Sequence, residues 1–203
     1  MGCAFLFFGG VSLSEGHAWL PTGPLLAAFS PILFAGESNA VNLTDGVDGL
    51  AAGTFAIAAT ALAMRGVSSG GACSVGLACQ SMGIAGSACG FLAFNRHPAK
   101  VFMGDTGSLA LGAFLAAHAL RAGLLASFLV VTAPFNWEML SVILQVGWFK
   151  WTKKAHGKGT RLFRMAPFHH HLERAGWSEP DIVRCFYAAA AISGAIALAL
   201  PSA

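Results

Sequence analysis

The stretch "TGSLALGAFLAAHALRAGLLASFLVVTAPFNWEMLSVILQVGWF", residues 106–149, decides the fold because of its length and its apolar content. A helix needs roughly 20 apolar residues, at ~1.5 Å rise each, to cross a hydrocarbon layer of ~30 Å. The stretch is interrupted at Leu120-Arg121-Ala122-Gly123, where a charge and a glycine permit a tight turn. It therefore predicts two membrane spans, about 106–120 and 124–149.

The rest of the chain has the same character. Of its 203 residues, 56% are hydrophobic and only 10% are charged, whereas a soluble domain carries about 25% charged residues. Further stretches that qualify or nearly qualify as spans are about 18–36, kinked by prolines, 47–64, 71–94 and 182–200. We expect a single all-α polytopic transmembrane domain with about five transmembrane helices.

The positive charges are distributed unevenly between the connections. Ten of the 12 Lys and Arg residues fall in or beside segments 95–105 and 150–181, and only Arg65 and Arg121 lie elsewhere. The positive-inside rule therefore predicts that these two segments are cytoplasmic loops. By counting spans back, the junction near 37–48 is expected on the same side.

Three polar clusters fall on this predicted cytoplasmic face. They are "NAVNLTDGVDG" (39–49), "FNRHPAKVFMGDTGS" (94–108) and "RMAPFHHHLE" (164–173). A random scatter over several spans would not favour one side so strongly. The pattern indicates that one face carries the chemistry.

In the first cluster, Asn42, Asp45 and Gly49 recur at i, i+3 and i+7, and Asp48 follows Asp45 by three. If the segment is helical, both carboxylates and the amide share one broad face. Two carboxylates at a membrane boundary repel each other unless a cation or a donor-rich ligand joins them. The alternative is a hydrated helix end capped by Asp and Gly.

In the second cluster, Asp105 stands between Gly104 and Gly107, just before a helical pattern. Asp is a common N-cap, which is one interpretation. The other is a Mg²⁺ site, because glycines allow close approach of a ligand, a helix N-terminus favours phosphate, and Mg²⁺ binds carboxylates together with phosphates. Phe102 could stack on a base or could be an ordinary membrane-interface aromatic.

The three consecutive histidines, His169, His170 and His171, cannot all contact the same point. Neighbours are ~100° apart on a helix, and on a strand only His169 and His171 share a side. Zinc is disfavoured, since no companion Cys/His pair stands nearby. A solvated loop remains an alternative to substrate contact, which is favoured by the rigid Pro167 and the basic run 150–164.

A polar stripe interrupts the fourth long apolar segment. Glu138, Ser141 and Gln145 lie at i, i+3 and i+7 and should face the bundle interior or a cavity rather than lipid. Gln145 lies nearer the cytoplasmic end and could reach the site, whereas we interpret Glu138 as structural.

The segments "NAVNLTDGVDGLA", "FNRHPAKVFMGDTGSLALG", "SVILQVGWFK" and "RLFRMAPFHHHLERAGWSE" resemble the bacterial phospho-N-acetylmuramoyl-pentapeptide-transferase family. The resemblance covers nearly all of residues 30–200. The first two motifs are those of the wider superfamily of polyprenyl-phosphate N-acetylhexosamine-1-phosphate transferases, and "MAPFHHHLE" is specific to the muramoyl branch.

The resemblance implies a Mg²⁺-dependent transfer of phospho-N-acetylmuramoyl-pentapeptide from its UDP-linked donor to undecaprenyl phosphate, which gives lipid I and UMP for peptidoglycan synthesis. It implies a multi-pass protein of the bacterial inner membrane with a cytoplasmic active site and no nucleic-acid partner. By matching position, Asp105 and Asn42 are the metal ligands. The catalytic positions are Asp45, Asp48, Asp105 and His169, and the substrate-binding positions are Asn42, Asn95, Phe102, Gln145, Ala166, His170 and His171.

This chain matches only the last five of the ten family spans, and its segment "KWTKKAHGKGTR" is longer and more basic than the family pattern. We therefore expect a fragment, a truncated product, or a chain completed by a missing N-terminal half or by a second copy in a homodimer. The alternative activities are transfer of GlcNAc-1-phosphate to the same lipid carrier, or none in an inactive fragment.

Overall fold

The structure of the chain is a computed structural model that describes residues 24–68, 72–122 and 124–200. Within these ranges every regular element is an α-helix, as the composition predicts. The helices are α1 (Pro24–Thr44), α2 (Leu50–Ser68), α3 (Ala72–Asn95), α4 (Gly104–Ala122), α5 (Leu125–Val131), α6 (Ala133–His156), α7 (Phe168–Arg174) and α8 (Glu179–Ala199).

The chain is an all-α polytopic membrane protein. Among the described residues, three helices are long and apolar enough to cross a membrane, namely α2, the part of α3 over Val75–Asn95, and α8. Helices α5 and α6 make a fourth candidate if taken together, although they meet at a bend of 70°. Helices α1 and α4 are not among these candidates, so the expected number of about five spans stays a prediction.

Helix α2 is the centre of the bundle and packs against α3 and α8. Small residues permit this packing, because a helix without bulky side chains lets its neighbours approach closely. A Cβ on Gly53 would lie 1.9 Å from the Tyr187 hydroxyl oxygen, and one on Gly194 would lie 3.0 Å from the Cβ of Ala61. Helix α8 therefore runs parallel to α2 at close range.

Helices α1 and α4 form a second tight pair. A Cβ on Gly112 would lie 2.5 Å from the carbonyl oxygen of Glu37, and nearer the other end of the pair Asn42 bonds Asp105. Contacts between 37 and 112 and between 42 and 105 describe antiparallel helices. This packing brings the C-terminal end of α1 to the N-terminal end of α4.

The three polar clusters meet at one end of the bundle. The turn after α1 bonds the end of α3, because the Gly49 N–H donates to Asn95 Oδ1 over 3.1 Å. The same turn meets α7, since the His169 imidazole lies against Gly46. Segments that lie far apart in sequence therefore form one polar surface.

Candidate functional site

The first cluster is helical only in part. Helix α1 ends at Thr44, and the Asp45 N–H donates to Asn42 O at this end. Residues 45–49 form a turn, in which Gly49 has a φ of +79°. A positive φ is easily adopted only by glycine. Asp45 and Asp48 are therefore presented by this turn, rather than by the continuous helical face considered from the spacing.

Asn42 and Asp105, the two expected metal ligands, are in direct contact. Asn42 Nδ2 donates to Asp105 Oδ1 over 3.0 Å and to Ser108 Oγ over 2.9 Å, and Ser108 Oγ donates to Gly104 O over 3.1 Å. Asp105 is in the first turn of α4, directly after Gly104 at φ +67°. A carboxylate, an amide and a hydroxyl thus cluster at a helix N-terminus, where the backbone N–H groups favour phosphate.

Asp45 faces the same carboxylate. Burial, followed by the negative charge of Asp105, raises the pKa of Asp45 from 3.8 to about 6. Two carboxylates that share a site raise each other's cost of ionisation unless a cation is present. The repulsion expected from the sequence is therefore a property of the Asp45–Asp105 pair.

Asn95 and Asp48 connect the two segments that form the sides of the site. Asn95 accepts from Gly49 N and donates from Nδ2 to Val101 O over 2.8 Å, so both ends of its amide engage backbone. Asp48 Oδ2 accepts from the Ala99 N–H over 2.9 Å. These bonds fix the turn 45–49 against the loop after α3.

A polar cavity of about 270 Å³ opens between this turn and the start of α4. Phe102 stands at it with 75% of its surface exposed, a geometry compatible with stacking. Six of the expected site residues line the cavity. Its lining is Asn42, Asp45, Gly46, Val47, Asp48, Asn95, Phe102, Met103, Gly104 and Asp105.

The donor set of this cavity fits Mg²⁺. Magnesium prefers oxygen ligands and usually takes one or two carboxylates together with substrate phosphates. Asp105 offers a carboxylate, Asn42 an amide oxygen, and Asp45 a second carboxylate, whose pKa is raised first by burial and then by the negative charge of Asp105. The residues present therefore suit a hard divalent cation.

A second group of metal-ligating side chains lies beside the cavity. The Nδ1 atom of His97 is 3.3 Å from Asp48 Oδ2 and 3.2 Å from Glu179 Oε2, and the three residues could hold a metal ion. The sequence interpretation did not single out His97 or Glu179. Only the meeting of the loop after α3 with the start of α8 relates them.

The three histidines occupy three different environments. His169 is 0% exposed, and its Nδ1 lies 3.1 Å from Glu138 Oε2. The ring of His170 pairs with Glu173 on its own helix. His171 accepts from the Arg164 N–H at Nδ1 over 3.1 Å and stacks on Phe168.

Gln145 and Ala166 belong to a neighbouring cavity of about 570 Å³. The Gln145 amide holds the loop that follows α6, because Oε1 accepts from the Leu162 and Phe163 N–H groups over 3.0 and 2.8 Å. Three cationic side chains line this cavity, so it favours anionic groups. They are Lys150, Arg161 and Arg174.

Comparison with known proteins shows the family of this chain. Residues 2–123 match the model of the family described as glycosyl transferase family 4. A protein of Nostoc punctiforme named phospho-N-acetylmuramoyl-pentapeptide-transferase is 51% identical over 180 residues, which cover 89% of this chain and 48% of that protein. A protein of the same name from Synechocystis sp. is 45% identical over 201 residues, 97% of this chain and 54% of the relative.

The chain spans about half the length of the curated relatives it matches. Both the matched share of the chain and the identity are high enough to establish kinship. The chain belongs to glycosyl transferase family 4.

Proposed function

We propose that this chain carries the phosphate- and metal-binding part of a phospho-N-acetylmuramoyl-pentapeptide-transferase. A phosphate oxygen of undecaprenyl phosphate attacks the β-phosphorus of the UDP-linked donor. The bond between that phosphorus and the oxygen bridging to UMP breaks, so UMP leaves with the electron pair and lipid I forms. The observation that carries the proposal is the Asn42–Asp105 contact beside Asp45 in a polar cavity.

Phosphoryl transfer depends on positioning and on neutralisation of charge more than on covalent chemistry by the protein. Asp105, with Asn42 as second ligand, would hold Mg²⁺. When bound, the ion would supply neutralisation of the negative charge on the diphosphate. The backbone amides at the start of α4 add hydrogen-bond donors suited to phosphate oxygens.

The other expected residues serve recognition of the donor. Phe102 is exposed at the cavity and available to stack on the uracil base, a contact worth about 1–3 kcal/mol. Asp48 and Asn95 keep the turn and loop in register through their backbone contacts. The neighbouring cavity, which Gln145 and Ala166 also line, attracts the anionic donor through three cationic side chains, Lys150, Arg161 and Arg174.

The proposal includes the inner membrane of a bacterium, with the site facing the cytoplasm. The concentration of Lys and Arg in the segments around the cavities supports this orientation. The partners are the bilayer, undecaprenyl phosphate, and either an N-terminal half or a second copy of the chain that completes the ten-span pattern.

The test is transfer by membranes that contain the chain, expressed alone and with the N-terminal half of the Nostoc punctiforme relative. Labelled UDP-N-acetylmuramoyl-pentapeptide and undecaprenyl phosphate should yield lipid I and UMP in magnesium, and neither product after chelation. UDP-GlcNAc supplied in parallel should be a poor donor. Preference for UDP-GlcNAc, or the absence of product in both preparations, would contradict the proposal.

A further inference from the structure

Glu138 and His169 form a buried carboxylate–imidazole pair between α6 and α7. Both residues are 0% exposed. Glu138 Oε1 accepts from the His169 backbone N–H over 3.1 Å, and Oε2 lies 3.1 Å from His169 Nδ1. One carboxylate therefore fixes both the position and the ring orientation of the histidine.

The far side of the ring faces the Gly46 turn. His169 Nε2 is buried and has no hydrogen-bond partner within residues 24–68, 72–122 and 124–200. A Cβ on Gly46 would lie 2.5 Å from this atom. Gly46 itself lines the cavity that holds Asp105. A residue without a side chain thus separates Nε2 from the proposed phosphate site.

The net charge of the pair determines whether Nε2 carries a proton. A buried carboxylate is costly unless it is paired, and His169 is the ion-pair partner that the described part of the chain gives Glu138. An electrically neutral pair has either imidazolium beside carboxylate or neutral imidazole beside carboxylic acid. In both states one proton lies between Nδ1 and Oε2, and a second proton is on Nε2.

The other titratable groups near the ring are compatible with a proton on Nε2. Asp45 and Asp48 flank Gly46 in the turn, and their negative charge favours a donor there. The His170 ring lies 4.1 Å from the His169 ring between centroids, but its own Nδ1 is engaged by Glu173. A buried N–H without an acceptor is costly, and an arriving anionic oxygen would offset this cost.

We infer that Glu138 is a positioning residue that holds His169 with a protonated Nε2 toward the Gly46 turn, as a donor to a phosphate oxygen of the UDP-linked substrate. The inference rests on the proposed function for the identity of the anion. It changes the role of Glu138 from the purely structural one that the sequence indicated. It also explains why position 46 requires glycine, because any side chain there would displace the donor.

The first test does not depend on activity. Nitrogen-15 NMR of histidine-labelled protein in detergent, with the His169 signal assigned by its loss in His169→Asn, should show Nε2 protonated at neutral pH. Addition of UMP with magnesium should shift this signal in the native protein and not in Gly46→Ala. An unprotonated Nε2 in the native protein, or an unaltered response in Gly46→Ala, would overturn the inference.

The second test measures transfer in the preparation that is active. We expect Glu138→Gln to lower kcat by about 100-fold, within the range for loss of one positioned hydrogen-bond donor, while KM for the UDP-linked substrate changes little. The dependence of kcat on pH in Glu138→Gln should also differ from that of the native protein. The kcat of Glu138→Asp should be at least tenfold higher than that of Glu138→Gln.

Ser141→Ala is the matched control, because Ser141 is equally buried on α6 and its hydroxyl donates only to a backbone oxygen. It should keep the native rate and pH profile. Native-like kcat in Glu138→Gln, or equal loss in the control, would contradict the inference. Should the native protein transfer a different phospho-sugar, the proposed function fails, and the same ratios measured on that donor still decide the role of Glu138.

Discussion

Asn42 Nδ2 donates a 3.0 Å hydrogen bond to Asp105 Oδ1 across 63 positions of sequence, and this contact joins the end of α1 to the start of α4. Because Asp105 also raises the pKa of Asp45, three polar residues from two motifs behave as one electrostatic unit. The first two predictions follow from this unit.

Asp105→Asn should reduce transfer by at least about 100-fold at ordinary magnesium, because the change removes the ionised ligand of the proposed Mg²⁺ site. The measurement is lipid I formation in membranes over a range of magnesium concentrations. Asp181→Asn is the control, since Asp181 is an exposed carboxylate that pairs with Arg184 on the surface of α8. Near-native turnover of Asp105→Asn would show that Asp105 stabilises the helix end and is not a required metal ligand.

The Asp45 carboxyl should make stability depend on pH in metal-free protein. Its pKa in the folded protein is about 6 against an ordinary 3.8, so between these values the folded state keeps a proton that the unfolded state has lost. Stability from this group is therefore highest at low pH and falls as pH rises through about 4 to 6. Thermal unfolding in chelator should show this slope.

Two substitutions isolate the cause of that slope. Asp45→Asn should remove the contribution, and Asp105→Asn should weaken it only in part because burial is the larger cause. A slope that is unchanged in Asp45→Asn would assign the pH dependence to other groups.

Alanine substitutions in the triplet should have unequal effects on transfer. His169→Ala should be the most damaging, by about 100-fold or more, since His169 alone of the three is buried against the Gly46 turn. His171→Ala should cost less, because it loses a bond to the Arg164 backbone, and His170→Ala least. Rates are compared at equal amounts of folded protein. Equal and mild losses of transfer rate in all three variants would indicate that the histidines belong to a solvated loop.

The orientation of the chain in the membrane can be measured directly. Single cysteines at Arg96 and Lys154 should react only with reagents that reach the cytoplasm, and one at Ser69, between α2 and α3, should react from outside. The physical reason is the ten-to-two distribution of Lys and Arg among the connections. Labelling of Ser69 from the cytoplasm would contradict the proposed orientation.

The sequence by itself determined the helical membrane class and the interruption after α4, because both depend on local composition. Apolar runs of sufficient length select helices whatever their neighbours, and a charge with a glycine ends one. It also singled out Asn42, Asp45 and Asp105 as candidate site residues, because polar and ionisable residues at a membrane boundary are costly without a role.

Tertiary structure alone decided how these residues meet. The turn at 45–49 replaced a continuous helical face, since Gly49 adopts a positive φ and the Asn95 amide bonds it from the end of α3. Nothing local relates Glu138 to His169, which are 31 residues apart, or His97 to Glu179, which are 82 apart. The His97–Glu179 pair forms because α2 lets α3 and α8 pack closely on its small residues, which brings the end of α3 and the start of α8 into reach. The Glu138–His169 pair forms because α7 packs against α6.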